Sequence, residues 1–198
     1  MAASHVAVYQ NDTFVGSITV ADTVKPTSAD AIAKLHQQGC RTILLTGDNY
    51  EAAQQIAAEV GISASDVIAD VLPTQKADRI TELQQGGNTV AMVGDGINDA
   101  AALALSHLGI AMGTGTDVAM QAADLTLVRG DVEAVPEALH LARRMNRIVR
   151  GNLFWAFIYN VAMIPLAMLG FLNPMMAGLA MVCSDLFVVG NSLRLRWA

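Results

Sequence analysis

The sequence predicts an α/β domain, a mainly parallel sheet with helices on both faces, followed by a two-helix hairpin that crosses a membrane. Three observations predict it. Short apolar runs alternate with helical patterns from residue 28 to residue 127, the signature of right-handed parallel crossovers. Two of these runs, 41–45 and 89–93, end in the small polar loops Thr46-Gly47-Asp48-Asn49 and Gly94-Asp95-Gly96-Ile97-Asn98-Asp99. Open sheets place their ligands at such carboxyl-terminal strand ends. Residues 153–172 are 20 residues without a charge, enough to cross a bilayer as a helix.

Each element has its own signal. Residues 6–9 and 14–20, separated by Gln10-Asn11-Asp12-Thr13, read as a β-hairpin. Ile32 and Leu35 at helical spacing predict a helix over 28–38, stopped by Gly39. Strands and helices then alternate over 42–45, 50–60, 67–69, 74–85, 89–93, 98–105, 108–111, 117–122 and 124–127, with Pro73 where the helix 74–85 begins. Residues 131–150 form a helical stretch, apolar at Val135, Leu139 and Met145, that ends in Arg143, Arg144, Arg147 and Arg150. The spans follow at 153–172 and 175–193, separated by Asn173-Pro174. Trp155 is placed for the interfacial belt, and Arg194 and Arg196 follow the second span. Basic residues at both outer ends put both ends in the cytoplasm.

Charge divides the chain as hydropathy does. Residues 1–142 carry 6 Lys/Arg against 17 Asp/Glu, and residues 143–198 carry 6 against 1. We therefore read 1–142 as a cytoplasmic domain and 143–198 as the multi-pass membrane part. A 53% hydrophobic content and a mean hydropathy of +0.40 are high for a wholly soluble chain. The acidic globular part argues against nucleic acid as a partner. Cys40 and Cys183 stand far apart, implying neither a disulfide framework nor a zinc site and suiting a reducing cytosol. The N-terminus has no basic region and no long apolar run, so no signal peptide is read there.

The polar loops carry the chemistry. Asp95 and Asp99, with Asn98 between them, offer hard oxygen ligands of the kind Mg²⁺ prefers, and flanking glycines allow close backbone approach. The alternative is an ordinary Asn/Asp/Gly turn. The Thr46 hydroxyl and the backbone N–H groups of Gly47 and Asp48, ahead of a helix, suit a phosphoryl oxygen. Lys76 falls in the first turn of the helix after Pro73. A cation there opposes the helix dipole unless an anion lies nearby, the alternative being a solvated lysine.

Those three segments, in this order, resemble the phosphorylation domain of P-type ATPases, a branch of the haloacid-dehalogenase-like phosphotransferases. The likeness extends to Asp22-Thr23-Val24-Lys25-Pro26, to Gly113-Thr114-Gly115-Thr116-Asp117 and to Ala123-Asp124. It implies a haloacid-dehalogenase-like fold in which Thr46, Gly47 and Asp48 meet the phosphoryl group and Lys76 neutralises it. It further implies that Asp95 holds Mg²⁺, with Asn98 and Asp99 in support, and that ATP is the substrate. One departure is Ala101, where the family usually has Pro. The family's phosphorylated aspartate lies in Asp-Lys-Thr-Gly-Thr, and that string does not occur here. The expectation is therefore a C-terminal portion of a pump, inactive by itself and working with the remainder, in the same or a separate chain.

The membrane part sharpens the resemblance. Tyr159-Asn160 resembles the Tyr-Asn pair of copper-transporting members, and Met181-Val182-Cys183-Ser184-Asp185 resembles their Met-x-x-Ser-Ser. Asn191-Ser192-Leu193-Arg194-Leu195 matches the family's ending. This implies Tyr159, Asn160, Met181 and Ser184 as groups on the path of a transported ion, Cu⁺ for export, since a thioether selects soft ions. Asp185 departs from that pattern and suits harder divalent ions. Two other readings stay open: a membrane-tethered Mg²⁺-dependent phosphatase with Asp22 as nucleophile, and a non-catalytic remnant or regulator.

Overall fold

The computed structural model describes residues 4–11, 13–20, 23–128, 130–170 and 173–194. The chain divides into two units, Met1–Pro136 and Glu137–Ala198. In the first, β1 (Ser4–Gln10) and β2 (Thr13–Val20) pair antiparallel, with a bulge between Val8 and Tyr9. Gln10 pairs with Thr13, so the turn is shorter than the four residues predicted. Asn11, at φ 47, tolerates the left-handed backbone that such a tight turn needs. The rings of Tyr9 and Phe14 meet edge to face, 5.6 Å apart.

Helices and strands then alternate as α1 (Pro26–Gln37), β3 (Leu44–Leu45), α2 (Tyr50–Val60), β4 (Val67–Ile68), α3 (Pro73–Gln85), β5 (Ala91–Gly94), α4 (Ala100–Leu105), β6 (Leu108–Met112), α5 (Asp117–Ala122) and β7 (Leu125–Leu127). Prolines open α1 and α3, where a missing N–H costs nothing. Asn49 caps α2 by accepting from the Ala52 N–H at 2.9 Å, and Gly61, at φ 82, ends it.

All strand pairs after the hairpin are parallel. They form two ladders, β3–β4 and β5–β6–β7. The alternation predicts a parallel sheet without predicting this division. Among the described residues β3 and β5 do not pair with each other, so each keeps an open edge. Central β6 is buried over four of its five residues, as a strand covered on both faces must be. Ile80 of α3, Met92 of β5, Ala102 and Leu103 of α4 and Ala119 of α5 form one core, against which Leu45 of β3 packs. A second core joins Ala57, Val60 and Ile62 with Val24, Ile32, Leu44 and Val67.

Helix α1 is tied to the segment that follows β7. The Lys25 ammonium donates to Gly130 O, the Thr27 hydroxyl meets the Asp131 carboxylate at 2.9 and 3.0 Å, and Lys34 pairs with Glu133 at 2.8 Å. Gln38 Nε2 donates to Pro136 O at 2.9 Å. The Glu133 N–H first, and the Thr27 hydroxyl second, hold the Asp131 carboxyl below the usual aspartate range.

Two helices dominate the remainder, α6 (Ala134–Met168) and α7 (Pro174–Leu193). The predicted stretch 131–150 and the predicted span 153–172 are one uninterrupted 35-residue helix. It starts at Ala134 because Asp131 accepts from the Glu133 and Ala134 N–H groups and so serves as a turn. It stops at Met168, ahead of Gly170 at φ 75, and Phe171 and Leu172 lie outside the described residues. Among the described residues α6 is the one helix long and apolar enough to cross a membrane, and α7 carries the shorter apolar stretch Met181–Leu193. Asn152 joins the two helices: its Oδ1 accepts from Asn191 Nδ2 at 2.7 Å and its Nδ2 donates to Ser192 Oγ at 3.0 Å. Trp155 and Phe187 stack edge to face, 6.0 Å apart.

Candidate functional site

Residue by residue, the site assembles at the carboxyl ends of β3 and β5. Beyond β3 the Thr46 hydroxyl donates to Asp48 Oδ2 at 2.9 Å and accepts from the Asp48 N–H at 3.1 Å, closing a tight loop. The segment after β4 folds back on it: the Asp70 N–H donates to Asp48 O at 2.9 Å and the Val71 N–H to Thr46 O at 3.1 Å. Gly47 suits that close approach, since a Cβ would lie 3.2 Å from Val71 O. Asp70 sits at φ 55, a conformation aspartate tolerates better than most residues.

From that segment the chain enters α3, where Gln75 Oε1 accepts from the Leu72 N–H at 3.2 Å. One turn in, the Lys76 ammonium meets Asp99 Oδ1 at 2.7 Å. Both side chains are largely buried, at 15% and 11% exposure. The anion that offsets Lys76 in the first turn of α3 is thus Asp99. Asp99 reaches it because Gly94, the last residue of β5, has no side chain: a Cβ there would lie 2.8 Å from Asp99 Cβ.

Asp95 is held differently. Its carboxylate is exposed and, among the described residues, has no hydrogen-bond or ion-pair partner. Its carbonyl accepts from the Thr116 N–H at 2.9 Å. Asn98 is exposed on the 3₁₀ turn Ile97–Asp99. Two carboxylates in one loop therefore have separate surroundings, Asp99 neutralised and buried, Asp95 uncompensated and open to a ligand. No group of three or more His, Cys, Asp or Glu able to hold a metal occurs among the described residues. That donor set fits Mg²⁺, which takes one or two carboxylates, several waters and a substrate phosphate rather than an all-protein cage.

The membrane residues are less gathered. Asn160 donates its amide to Ala156 O of its own helix at 2.8 Å, Met181 is 67% exposed and Ser184 is half-buried. Among the described residues no hydrogen bond joins Asn160 to Met181 or Ser184. The side chain of Tyr159, and all of Asp22, lie outside the described residues. Sequence reasoning gave no role to Asp70, Gln75 or Thr116, and quoted Gly115 only as part of a motif. The signal for Gly115 is its place between two threonines, in a loop following a buried strand.

Residues 2–107 match the haloacid dehalogenase-like hydrolase family. The chain is 59% identical over 180 residues to the "Cation-transporting P-type ATPase B" of Mycobacterium leprae, covering 91% of this chain and 24% of that protein. It is 53% identical over 186 residues to the "Copper-exporting P-type ATPase" of Staphylococcus aureus, covering 94% and 23%. It also superposes on a zinc-transporting PIB-type ATPase in the E2.Pi state, with a TM-score of 0.86 and 37% identity, over 98% of this chain and 31% of that one. The chain thus spans about a quarter of the length of the curated relatives it matches.

Proposed function

We infer the function from a single premise: the chain belongs to the haloacid dehalogenase-like hydrolase family. We propose that it is the C-terminal portion of a heavy-metal P-type ATPase that exports Cu⁺, with residues 1–142 cytoplasmic and 143–198 in the cell membrane. The observation that carries this is the paired arrangement at the end of β5, Lys76 bound to Asp99 beside an open Asp95. Likeness to ion-pumping ATPases over both the α/β unit and the helices supports it.

In this reading the Gly47 N–H receives a phosphoryl oxygen, the Thr46 hydroxyl and Asp48 N–H turn to it from the bonds they share within the loop, and Lys76, oriented by Asp99, supplies positive charge beside it. Asp95 would hold Mg²⁺, with Asn98 alongside, and the ion would offset phosphoryl charge. Such transfer is driven by positioning and electrostatics. The nucleophilic aspartate comes from the remainder of the pump. The open edges of β3 and β5 support a parallel strand supplied from there.

Copper is favoured by the 53% identity to a copper exporter and by the soft thioether that Met181 adds to the Tyr159, Asn160 and Ser184 motifs of the sequence. The test is to graft residues 143–198 into a full-length copper-exporting pump and measure metal-dependent ATP hydrolysis. Cu⁺ activation should fall with Met181→Ala, with little change in any Zn²⁺ response. Activation by Zn²⁺ that requires Asp185 would overturn the copper assignment.

A further inference from the structure

The loop between β6 and α5 lies against the candidate Mg²⁺ ligand. Gly113 to Thr116 run from the buried end of β6 to the cap of α5, where Thr116 Oγ1 accepts from the Ala119 N–H at 3.3 Å. Along the way Gly115 passes directly beneath Asp95. A Cβ on Gly115 would lie 2.3 Å from Asp95 O, 2.9 Å from Asp95 Cα and 2.9 Å from Met112 O. All three are backbone atoms, so no side-chain rotation relieves the clash. In the same place the Thr116 N–H donates to Asp95 O at 2.9 Å. Asp95 therefore rests on a seat made only of backbone, one residue without a side chain and one amide donor. Its own carboxylate has no partner among the described residues to fix it.

We propose that Gly115 and the Thr116 amide are positioning residues that set the divalent-cation affinity of Asp95 by fixing its backbone. The inference rests on the reading of Asp95 as the Mg²⁺ ligand. A carboxylate that is one of only one or two protein ligands depends heavily on its orientation, and loss of an outer partner costs metal sites about 10–100-fold in affinity. Gly113 is a natural control. It is as crowded as Gly115, but a Cβ there would meet Leu127 O at 2.4 Å and Val128 O at 2.8 Å, not Asp95.

The test uses the full chain in detergent and Mn²⁺ as the probe, with free Mn²⁺ read by electron paramagnetic resonance and Mg²⁺ as competitor. Wild type should bind Mn²⁺ at a site that Asp95→Asn removes. Gly115→Ala should weaken it about tenfold or more. Thr116→Pro, whose ring suits the observed φ of −76 but replaces the N–H with a Cδ facing Asp95 O, should weaken it at least as much. Thr116→Ala keeps the N–H and should stay within about twofold. Wild-type affinity in folded Gly115→Ala, equal weakening by Gly113→Ala, or equal weakening by Thr116→Ala and Thr116→Pro would each overturn the proposal. Wild-type chain that binds no Mn²⁺ through Asp95 would instead overturn the reading beneath it, and the proposal with it.

Discussion

The two units of this chain spend their apolar residues in opposite ways. In the first, Leu103 and Ile110 are fully buried, and Met92 and Ile80 nearly so. In the second, Leu153, Phe157, Leu179 and Leu186 are 66–71% exposed on helices that carry long apolar stretches. A water-soluble unit hides such side chains, and an exposed apolar surface of this extent marks another solvent or partner. The α/β unit is held by its own core, while the helical pair relies on what surrounds it and on a few polar contacts. Substitutions should therefore act through burial in one unit and through hydrogen bonds in the other.

The largest effect is expected at the Lys76–Asp99 pair. Lys76→Met leaves a buried carboxylate without its partner and should destabilise the α/β unit by about 3–5 kcal/mol. Hydrogen exchange of its amides in the full chain would show the loss, and adding Asp99→Asn should recover part of it. An unchanged exchange pattern would mean that the pair is solvated. Next comes a matched truncation. Leu103→Ala should cost about 2–5 kcal/mol, whereas Phe157→Ala should change stability in detergent by no more than about 0.5 kcal/mol. Equal costs would erase the contrast between the units.

Within the helical unit, Asn152→Ala removes the two hydrogen bonds that this side chain makes to α7. It should cost about 1 kcal/mol, in line with interhelical hydrogen bonds in membranes, read from Trp155 fluorescence during unfolding in mixed detergents. The smallest effect belongs to Asp131. Its folded pKa lies below the ordinary aspartate value because it accepts from Glu133 and Thr27. The unfolded chain therefore binds the proton first as pH falls. The contribution is whole above the unfolded pKa of about 3.9 and is lost as pH drops through the folded value. Between pH 5 and pH 7 the protection of the amides of α1 should not depend on this group. Thr27→Val should shrink the loss below about pH 4.

What the sequence made legible was local. The order of strands and helices, the start at Pro73 and the polar loops at Thr46 and Asp95 depend on neighbours in the chain, and periodicity or turn chemistry reports them. The pairing of Lys76 with Asp99 spans 23 positions, and the seat of Asp95 on Gly115 spans 20. Both depend on which loops the topology brings together, and no local pattern encodes that. The same holds for the division between β3 and β5, two-residue and four-residue strands whose partners are chosen by packing. The continuity of α6 is illegible for another reason: Gly151-Asn152 after a basic turn reads as a helix end, yet the helix runs through it, with Asn152 bonded to α7.

The central claim, that this chain completes a phosphoryl-transfer site whose nucleophile lies on another segment, is tested most directly by labelling with γ-phosphate-tagged ATP. The chain is incubated alone, and then with a polypeptide holding the remaining N-terminal part of a copper-exporting relative, and acid gels are read for acyl-phosphate. The expected result is no band alone and, in the mixture with Cu⁺, a band on the other polypeptide that Asp95→Asn in this chain abolishes. A band on this chain alone that disappears with Asp22→Asn would contradict the claim.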